Sequence, residues 1–194
     1  MKANREYRNF TNLELSQDEN NENYIVRGTA VVFNVPTCLY ECNGIKYFEI
    51  IDSKSFNECD ISDVIFNYNH GGKVVARIRN KTLKLDIDYT GVHIEADLGG
   101  TEEGRKLYEE IKGGYIDRMS FSFVMNDDDF DYDNETRTKK IKRIKKLYDV
   151  SAVDIPAYNE TSISARSFFV EEYTKELDAL EQAKRRLLLL TKTY

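Results

Sequence analysis

Residues 82–98 read TLKLDIDYTGVHIEADL, and this stretch decides the fold class. Apolar and polar residues alternate strictly through residues 82–88 and again through residues 92–98, which is the period of a half-buried β-strand. Thr90 and Gly91 supply a turn between the two runs. We therefore predict an antiparallel hairpin whose strands cover residues 83–89 and 92–98.

Further short strands are predicted on both sides of this hairpin, because apolar runs recur there between turn residues. They cover residues 24–33, 46–51, 64–67, 74–79, 117–126 and 141–155. A helix interrupts the series after Thr101, a candidate N-cap, with Leu107 and Ile111 on its apolar face and Gly113 at its end. The expected class is mainly β with helices (α+β).

The two ends of the chain differ from this middle part. Residues 1–23 are rich in Asn and Glu and are predicted to be a polar N-terminal segment, whereas residues 24–166 are expected to form the main β domain. Residues 167–194 contain no Gly or Pro and place Leu177 and Leu187 near one helical face, which predicts a C-terminal amphipathic helix. The pattern does not choose between packing on the β domain, dimerisation and docking on a partner.

A strongly charged link lies between the last two predicted strands. Five aspartates from Asp127 to Asp133 are followed by seven lysines and arginines from Arg137 to Lys146. The functional interpretations are a calcium loop or a basic nucleic-acid patch, and the structural one is an exposed hairpin whose arms attract each other. We favour the hairpin, because adjacent blocks of opposite charge neutralise each other and the acidic run lacks the Gly and terminal Glu of an EF-hand loop.

Composition narrows the class of protein. The 194 residues include 28 Lys and Arg against 34 Asp and Glu, a net charge of −6, which argues against nonspecific binding of nucleic acid. No apolar run approaches the ~18 residues that span a bilayer, and the first residues lack the apolar core of a secretory signal. We therefore expect a soluble cytoplasmic protein without nucleic-acid or membrane partners.

The cysteines indicate neither a disulfide framework nor a metal site. Cys38, Cys42 and Cys59 are odd in number and form no CxxC pair. Neither histidine is spaced from them as in a zinc site. We expect reduced thiols, with no metal and no other cofactor.

Absent motifs leave few kinds of chemistry open. The sequence has no GxxxxGK[ST] phosphate loop, GxGxxG, HExxH or GxSxG. A serine triad on another fold remains possible, because geometry rather than a local motif defines it. Of the two histidines, His70 ends the stretch FNYNHGG, where a strand meets a glycine turn, whereas His93 lies in an alternating strand and is typical of a solvated surface side chain.

Candidates for the nucleophile and the orienting acid lie on two later strands. In MSFSF, residues 119–123, Ser120 and Ser122 share the face opposite the apolar side chains, either as candidate nucleophiles or as ordinary outward-facing small residues. Asp149 is the carboxylate within LYDVSAV, and burial there would be explained by a hydrogen bond from His70. Asp154 is the alternative acid.

Three stretches in this order resemble a known family. They are NH at residues 69–70, GYIDRMSFSF at 114–123 and LYDVSAVDIPAY at 147–158. Together they resemble the prohead maturation proteases of tailed bacteriophages, and FEIIDSKSF at residues 48–56 is similar to the family's stretch before its histidine. The resemblance extends from about residue 24 to residue 166.

The resemblance implies a serine endopeptidase with a fold similar to the herpesvirus assemblins, an antiparallel β-barrel with surrounding helices. It implies Ser120 as nucleophile, His70 as general base and Asp149 at the acidic position, where the family motif usually has Glu. No histidine follows Ser120 in the sequence, so the herpesvirus arrangement with a second histidine after the serine does not apply. Ser122 stands where the family often has Gly.

The same resemblance implies a biological setting. The enzyme would cut scaffold or major capsid polypeptides inside the assembling procapsid in the host cytoplasm, and it would also cleave itself. The resemblance further suggests a homodimer as one oligomeric state. The alternative is a non-catalytic β-barrel that serves as a structural or assembly component of the phage head. That alternative predicts that Ser120 and His70 lie far apart.

Overall fold

The computed structural model describes residues 5–11, 13–15, 24–154 and 163–191, and the side chains of residues 5–8, 24–154 and 167–190. Strands dominate these residues and two α-helices accompany them, which confirms the predicted α+β class. The strands are β1 (Arg5–Thr11), β2 (Leu13–Leu15), β3 (Ile25–Val32), β4 (Thr37–Cys42), β5 (Ile45–Ile51), β6 (Ile65–Tyr68), β7 (Gly71–Arg77), β8 (Leu83–Ile87), β9 (Gly91–Asp97), β10 (Arg118–Val124), β11 (Phe130–Asp133), β12 (Thr138–Ile141) and β13 (Lys146–Val153). The helices are α1 (Glu102–Lys112) and α2 (Ile163–Thr191).

The strands form three sheets. One has the order β1-β10-β13-β6-β7, the second β11-β12-β5-β4 and the third β2-β3-β9-β8. The hairpin predicted from residues 82–98 is confirmed as β8 and β9, which run antiparallel with Leu85 opposite Ile94. Val92, Ile94 and Ala96 are buried, so β9 packs one face on the core as its alternation predicts.

The predicted antiparallel barrel is not found as a closed structure among the described residues. β6 runs parallel to β13, and β5 runs parallel to β12. Parallel neighbours require a long connection, and α1 with several strands separates the members of both pairs along the chain. The alternation that identifies single strands does not specify their partners, so the sequence pattern did not predict this mixed pairing.

Helix α1 has the predicted boundaries. The hydroxyl of Thr101 accepts a hydrogen bond from the Gly104 N–H at 2.9 Å, as an N-cap does. Leu107 and Ile111 are buried against the core. The helix ends at Gly113, and Gly114 follows with a φ of +73°, a conformation that glycine adopts without steric cost.

Helix α2 is anchored mainly through its beginning. Phe169 is fully buried, with its ring centroid 5.7 Å from that of Tyr47, and Phe168 packs on Phe130 at 5.3 Å. Leu187, farther along, is 64% exposed. The predicted C-terminal helix therefore packs on the sheet of β11-β12-β5-β4 while much of its apolar stripe is uncovered. Neither described helix combines the length and apolar character that crossing a membrane requires.

The charged link is a hairpin, as predicted. β11 and β12 are antiparallel with Asp131 opposite Lys140, and Lys142 Nζ lies 2.7 Å from Asp131 Oδ1. The hairpin is less exposed than expected, because Asp129 and Lys139 are both buried. The charged link thus holds its own arms together by ion pairs, and two of its charged side chains are packed in the interior.

Several elements depart from the predicted boundaries. β1 and β2 lie within the segment predicted as polar, and β1 pairs with β10 as the edge strand of its sheet. The sequence of β1 does not show the apolar alternation of a half-buried strand, because its buried positions hold Glu6 and Arg8, which form an ion pair. β4 was also not predicted. The strand predicted at 141–155 is β13, which begins at Lys146, because β12 ends at Ile141 and residues 142–145 belong to neither strand. Residue 155 of that prediction and residues 155–158 of the motif lie outside the described residues.

Candidate active site

Ser120 lies near the middle of β10, which has hydrogen-bonded neighbours on both sides. It is opposite Ser151 of β13 and opposite Asn9 of β1. Residues 119–124 are all buried, so of the two interpretations of Ser120 and Ser122, the one as ordinary outward-facing residues is wrong. Both ladders hold the backbone of β10, and this fixes the position of the Ser120 hydroxyl.

His70 is presented by a two-residue turn between β6 and β7. Tyr68 pairs with Gly71, and the two residues between them, Asn69 and His70, have φ values of +49° and +55°. Positive φ at both central positions is the mark of a type I′ hairpin turn, and Asn and His are among the non-glycine residues that adopt it most often. The Asn69 N–H donates to the carbonyl of Ala152 at 2.9 Å, which holds the turn against β13.

Asp149 is the buried acid of the cluster. It lies on β13 between β10 and β6, opposite Ser122 on one side and Ile65 on the other, and its side chain has no exposed surface. A buried carboxylate is costly unless it accepts hydrogen bonds. Its environment must therefore supply donors.

The three predicted side chains form one hydrogen-bonded chain. His70 Nε2 lies 2.5 Å from Ser120 Oγ, and His70 Nδ1 lies 2.5 Å from Asp149 Oδ1. An ionised carboxylate can only accept, so the Nδ1 atom carries the proton and the Nε2 lone pair faces the hydroxyl. The arrangement can remove a proton from Ser120, as in serine hydrolases. The separation of Ser120 and His70 that the non-catalytic alternative predicts is not observed.

Ser122 contacts the acid rather than the imidazole. Its hydroxyl donates to Asp149 Oδ2 at 2.6 Å, and Arg5 Nε donates to Ser122 Oγ at 2.9 Å. The Arg5 guanidinium also pairs with Asp149 Oδ2. The two serines of β10 therefore have different surroundings, and Ser120 is the one within reach of the base.

Ser151 completes the surroundings of the acid on its other oxygen. Its hydroxyl lies 2.9 Å from Asp149 Oδ1, 3.1 Å from His70 Nδ1 and 2.5 Å from Asn67 Oδ1. The single hydroxyl proton can serve either Asp149 or Asn67. This side chain restricts both the carboxylate and the ring that it holds.

These contacts keep Asp149 ionised. Burial by itself raises the pKa of the Asp149 carboxyl, but hydrogen bonds from His70 and Ser122 and the positive charge of Arg5 outweigh it, so the pKa lies below its ordinary value. A negative charge at this position favours the Nδ1–H tautomer and an imidazolium formed during reaction.

Other candidate residues lie apart from this cluster. His93 is hydrogen-bonded to Thr29 and Thr90, at 3.0 and 2.9 Å. Asp154 accepts hydrogen bonds from Tyr68 and Asn69, so it supports the turn that carries His70 rather than the imidazole itself.

Sequence reasoning did not assign roles to Ser151, Asn67 and Arg5. Ser151 follows Asp149 by two positions on one strand, so a shared face was a usable signal. Arg5 gave no local signal, because its contact with Asp149 depends on the pairing of β1 with β10.

No metal centre was found in the part of the chain that the structure describes. Within it, no group of three or more His, Cys, Asp or Glu side chains is placed to hold a metal ion. Cys38, Cys42 and Cys59 have free thiols.

A family model described as caudovirus prohead serine protease matches residues 11–176. The chain belongs to this family. His70, Ser120 and Asp149 all fall within the matched residues, whereas Arg5 and the rest of the start of β1 precede them.

Two other comparisons accompany the family match. No curated protein matches the chain. Among solved structures, the bacteriophage T4 capsid assembly protease gp21 is similar, with 13% sequence identity and a TM-score of 0.38 over 70% of this chain and 100% of that one. Similarity at this level is too low to assign a fold or a function, so the prohead protease assignment rests on the family match.

Proposed function

We propose that this prohead protease is a serine endopeptidase in which Ser120 is the nucleophile, His70 the general base and Asp149 the orienting acid. The observation that carries the proposal is the continuous contact from Ser120 Oγ through both ring nitrogens of His70 to Asp149, with 2.5 Å at each step. A nucleophile within hydrogen-bond reach of a base that a third group orients is the general signature of covalent catalysis.

The reaction follows from these positions. As Ser120 Oγ bonds to the scissile carbonyl carbon, its proton passes to His70 Nε2. The imidazolium then donates that proton to the leaving amine as the C–N bond breaks, which leaves an acyl group on Ser120. Water attacks the acyl carbon, His70 takes the water proton, and the acid product leaves with the Ser120 hydroxyl restored.

Asp149 acts through the imidazole. Its side chain is one methylene shorter than the Glu usual in the family motif, yet Oδ1 reaches His70 Nδ1 at 2.5 Å because β13 lies directly beside β6. Arg5, Ser122 and Ser151 are positioning residues that hold the carboxylate. The shorter acid is therefore compatible with the third role.

The substrates that we propose are the scaffold or major capsid polypeptides of a tailed phage, cut inside the assembling procapsid in the host cytoplasm, and also the protease chain itself. Membership of the prohead serine protease family supports this assignment.

Co-expression with the major capsid and scaffold proteins of the same phage tests the proposal. Wild type is expected to shorten at least one of them, and Ser120→Ala to leave both at full length. Ser122→Ala is the matched control on the same strand, and we expect it to slow cleavage without abolishing it, because Asp149 loses one donor. Loss of cleavage with Ser122→Ala while Ser120→Ala cuts normally would show that the nucleophile is Ser122 and that the proposed assignment to Ser120 is wrong.

A further inference from the structure

Strand β1 lies across the proposed catalytic residues. Its register places Arg8 opposite Phe121 and Asn9 opposite Ser120. The carbonyl oxygen of Arg8 accepts a hydrogen bond from Ser120 Oγ at 2.8 Å, and the Tyr7 ring meets the His70 ring edge-on at 4.7 Å. Ser120 has no exposed surface. A peptide carbonyl must approach Ser120 Oγ in the reaction, and a carbonyl of β1 already lies there.

The contact with β1 also affects the Ser120 proton. A hydroxyl donates one hydrogen bond, and the Arg8 carbonyl at 2.8 Å competes for it with His70 Nε2 at 2.5 Å. A substrate peptide can reach the hydroxyl only after β1 has moved away.

The side chain of Arg8 enters a buried pocket. Its Nε and Nη2 donate to the two carboxylate oxygens of Glu49 at 2.5 and 2.7 Å, which is the bidentate geometry of strong arginine recognition. The guanidinium also pairs with Glu6 at 2.5 Å and lies 5.3 Å from the Phe123 ring centroid. Arg8 is 3% exposed and so is Glu49. The residue whose carbonyl meets the nucleophile is thus the one whose side chain fills this pocket.

Glu49 belongs to the pocket and not to β1. It lies on β5, in a different sheet, so departure of β1 removes Arg8 and Glu6 together and leaves the Glu49 carboxylate without the guanidinium that it binds. Lys139 is opposite Glu49 in the β5–β12 ladder, but its Nζ lies against the Phe130 ring, 4.2 Å from the centroid. Lys139 attracts Glu49 through its charge, but the bidentate hydrogen bonds of Glu49 are lost with Arg8, so the vacated pocket favours another cation that donates hydrogen bonds.

We propose that β1 occupies the place of a substrate strand and that the Glu49 pocket binds an arginine or lysine side chain of the substrate, at the residue directly before the bond that is cut. The peptide adds to the edge of β10 as β1 does now, which is a common mode of peptide recognition. This inference rests on the proposed function. Residues 5–8 precede the residues that match the family.

Peptide cleavage tests the specificity. The substrates are four internally quenched peptides with the sequence of residues 4–13, which carry Arg, Lys, Gln or Glu at position 8. Arg5 is replaced by Gln in all four, so that position 8 is the only position with a basic side chain. Wild type is expected to cut the Arg and Lys peptides after that residue, with kcat/KM on the order of 30-fold or more above the Gln peptide, because a buried charge pair is strongly selective. Equal rates for all four peptides, or cleavage at another bond, would contradict the proposal that the Glu49 pocket binds the basic side chain before the cleaved bond.

Variants identify the selecting group. Glu49→Gln is expected to reduce the ratio of Arg to Gln peptide cleavage at least about tenfold. Glu41→Gln, which changes an exposed acid on the neighbouring β4, is expected to keep the wild-type ratio. A full preference retained in Glu49→Gln would assign the selection to another group, and the wild-type peptide series decides the question if that variant does not fold.

Hydrogen exchange tests the place of β1. When Ser120→Ala binds the Arg peptide without cutting it, backbone amides of residues 5–8 are expected to exchange at least about tenfold faster than without peptide, because their ladder to β10 is lost. Unchanged exchange with the peptide bound would show that β1 is a permanent part of the sheet. If wild type cuts the capsid protein but shows no preference for Arg or Lys peptides, only the proposed binding of a basic side chain in the Glu49 pocket is wrong. If wild type cuts neither the capsid protein nor the peptides, the proposed peptidase function is wrong as well.

Discussion

The proposed mechanism requires Asp149 to carry a negative charge although its side chain is buried. Its side chain is fully buried, and it stays ionised because His70, Ser122 and Arg5 surround it with donors and positive charge. Removing the charge while keeping the shape separates its effect on the imidazole from its effect on packing.

Asp149→Asn is expected to lower kcat by on the order of 10⁴-fold with a much smaller change in KM, because the amide cannot hold the Nδ1–H tautomer of His70. Steady-state kinetics on a cleavable peptide measures this. Asp154→Asn is the matched control, since Asp154 bonds to Tyr68 and Asn69 rather than to the imidazole, and should lower kcat less than about tenfold. A larger loss with Asp154→Asn would transfer the orienting role to that acid.

The lowered pKa of Asp149 also predicts how stability depends on pH. A carboxyl group whose pKa is lower in the folded than in the unfolded state stabilises the fold above its unfolded pKa, and this contribution is lost as pH falls through the folded pKa. The free energy of unfolding of wild type minus that of Asp149→Asn should therefore be larger at about pH 5 than below about pH 4. Urea unfolding at each pH measures the difference, and a difference that grows on acidification contradicts the assignment.

At the scale of elements, the β6–β7 turn controls where the base lies. Its two central residues adopt positive φ, and Asn69 is tied to β13 through Ala152 and to Asp154. The turn type follows from the two-residue loop between paired strands, so a residue that resists positive φ should disturb His70 without touching Ser120.

Asn69→Val is expected to destabilise the protein by about 1–2 kcal/mol and to lower kcat, because a β-branched residue resists positive φ. Asn69→Gly is the control: it loses the same hydrogen bond to Asp154 but accepts the backbone conformation. Thermal unfolding and peptide cleavage compare the two variants. Equal effects would show that the side-chain hydrogen bond, rather than the backbone of the turn, positions His70.

At the scale of the whole molecule, α2 joins the sheet of β11-β12-β5-β4 through two aromatic residues. Phe169 is fully buried beside Tyr47, and Phe168 covers Phe130. Leu187 lies on the exposed part of the helix. The contribution of the helix to stability should therefore be concentrated near its beginning.

Phe169→Ala is expected to lower the free energy of unfolding by about 3–5 kcal/mol, because it removes a buried ring and leaves a cavity. Leu187→Ala should change it by less than about 0.5 kcal/mol, since this side chain is 64% exposed. Urea unfolding of both variants measures the contrast. A similar loss in both would mean that the far part of the helix is packed in solution.

The sequence predicted what depends on neighbouring residues in the chain. Alternation identified β8 and β9, and a capping threonine and closing glycines identified α1. The resemblance of three short stretches brought out Ser120, His70 and Asp149. The pairing of β1 with β10 could not be predicted, because its buried positions carry Glu6 and Arg8, which read as surface residues until Glu49 of a distant strand is placed beside them. The parallel pairs were missed for the same reason, since strand partners depend on long-range contacts.

Covalent labelling tests the central claim most directly. Wild type treated with a fluorophosphonate and digested for mass spectrometry is expected to carry the adduct on Ser120, because only that hydroxyl contacts the His70 base among the described residues of β10. His70→Ala should lose the adduct, and Ser122→Ala should retain it at Ser120. An adduct on Ser122, or one on Ser120 that forms equally well without His70, would contradict the account.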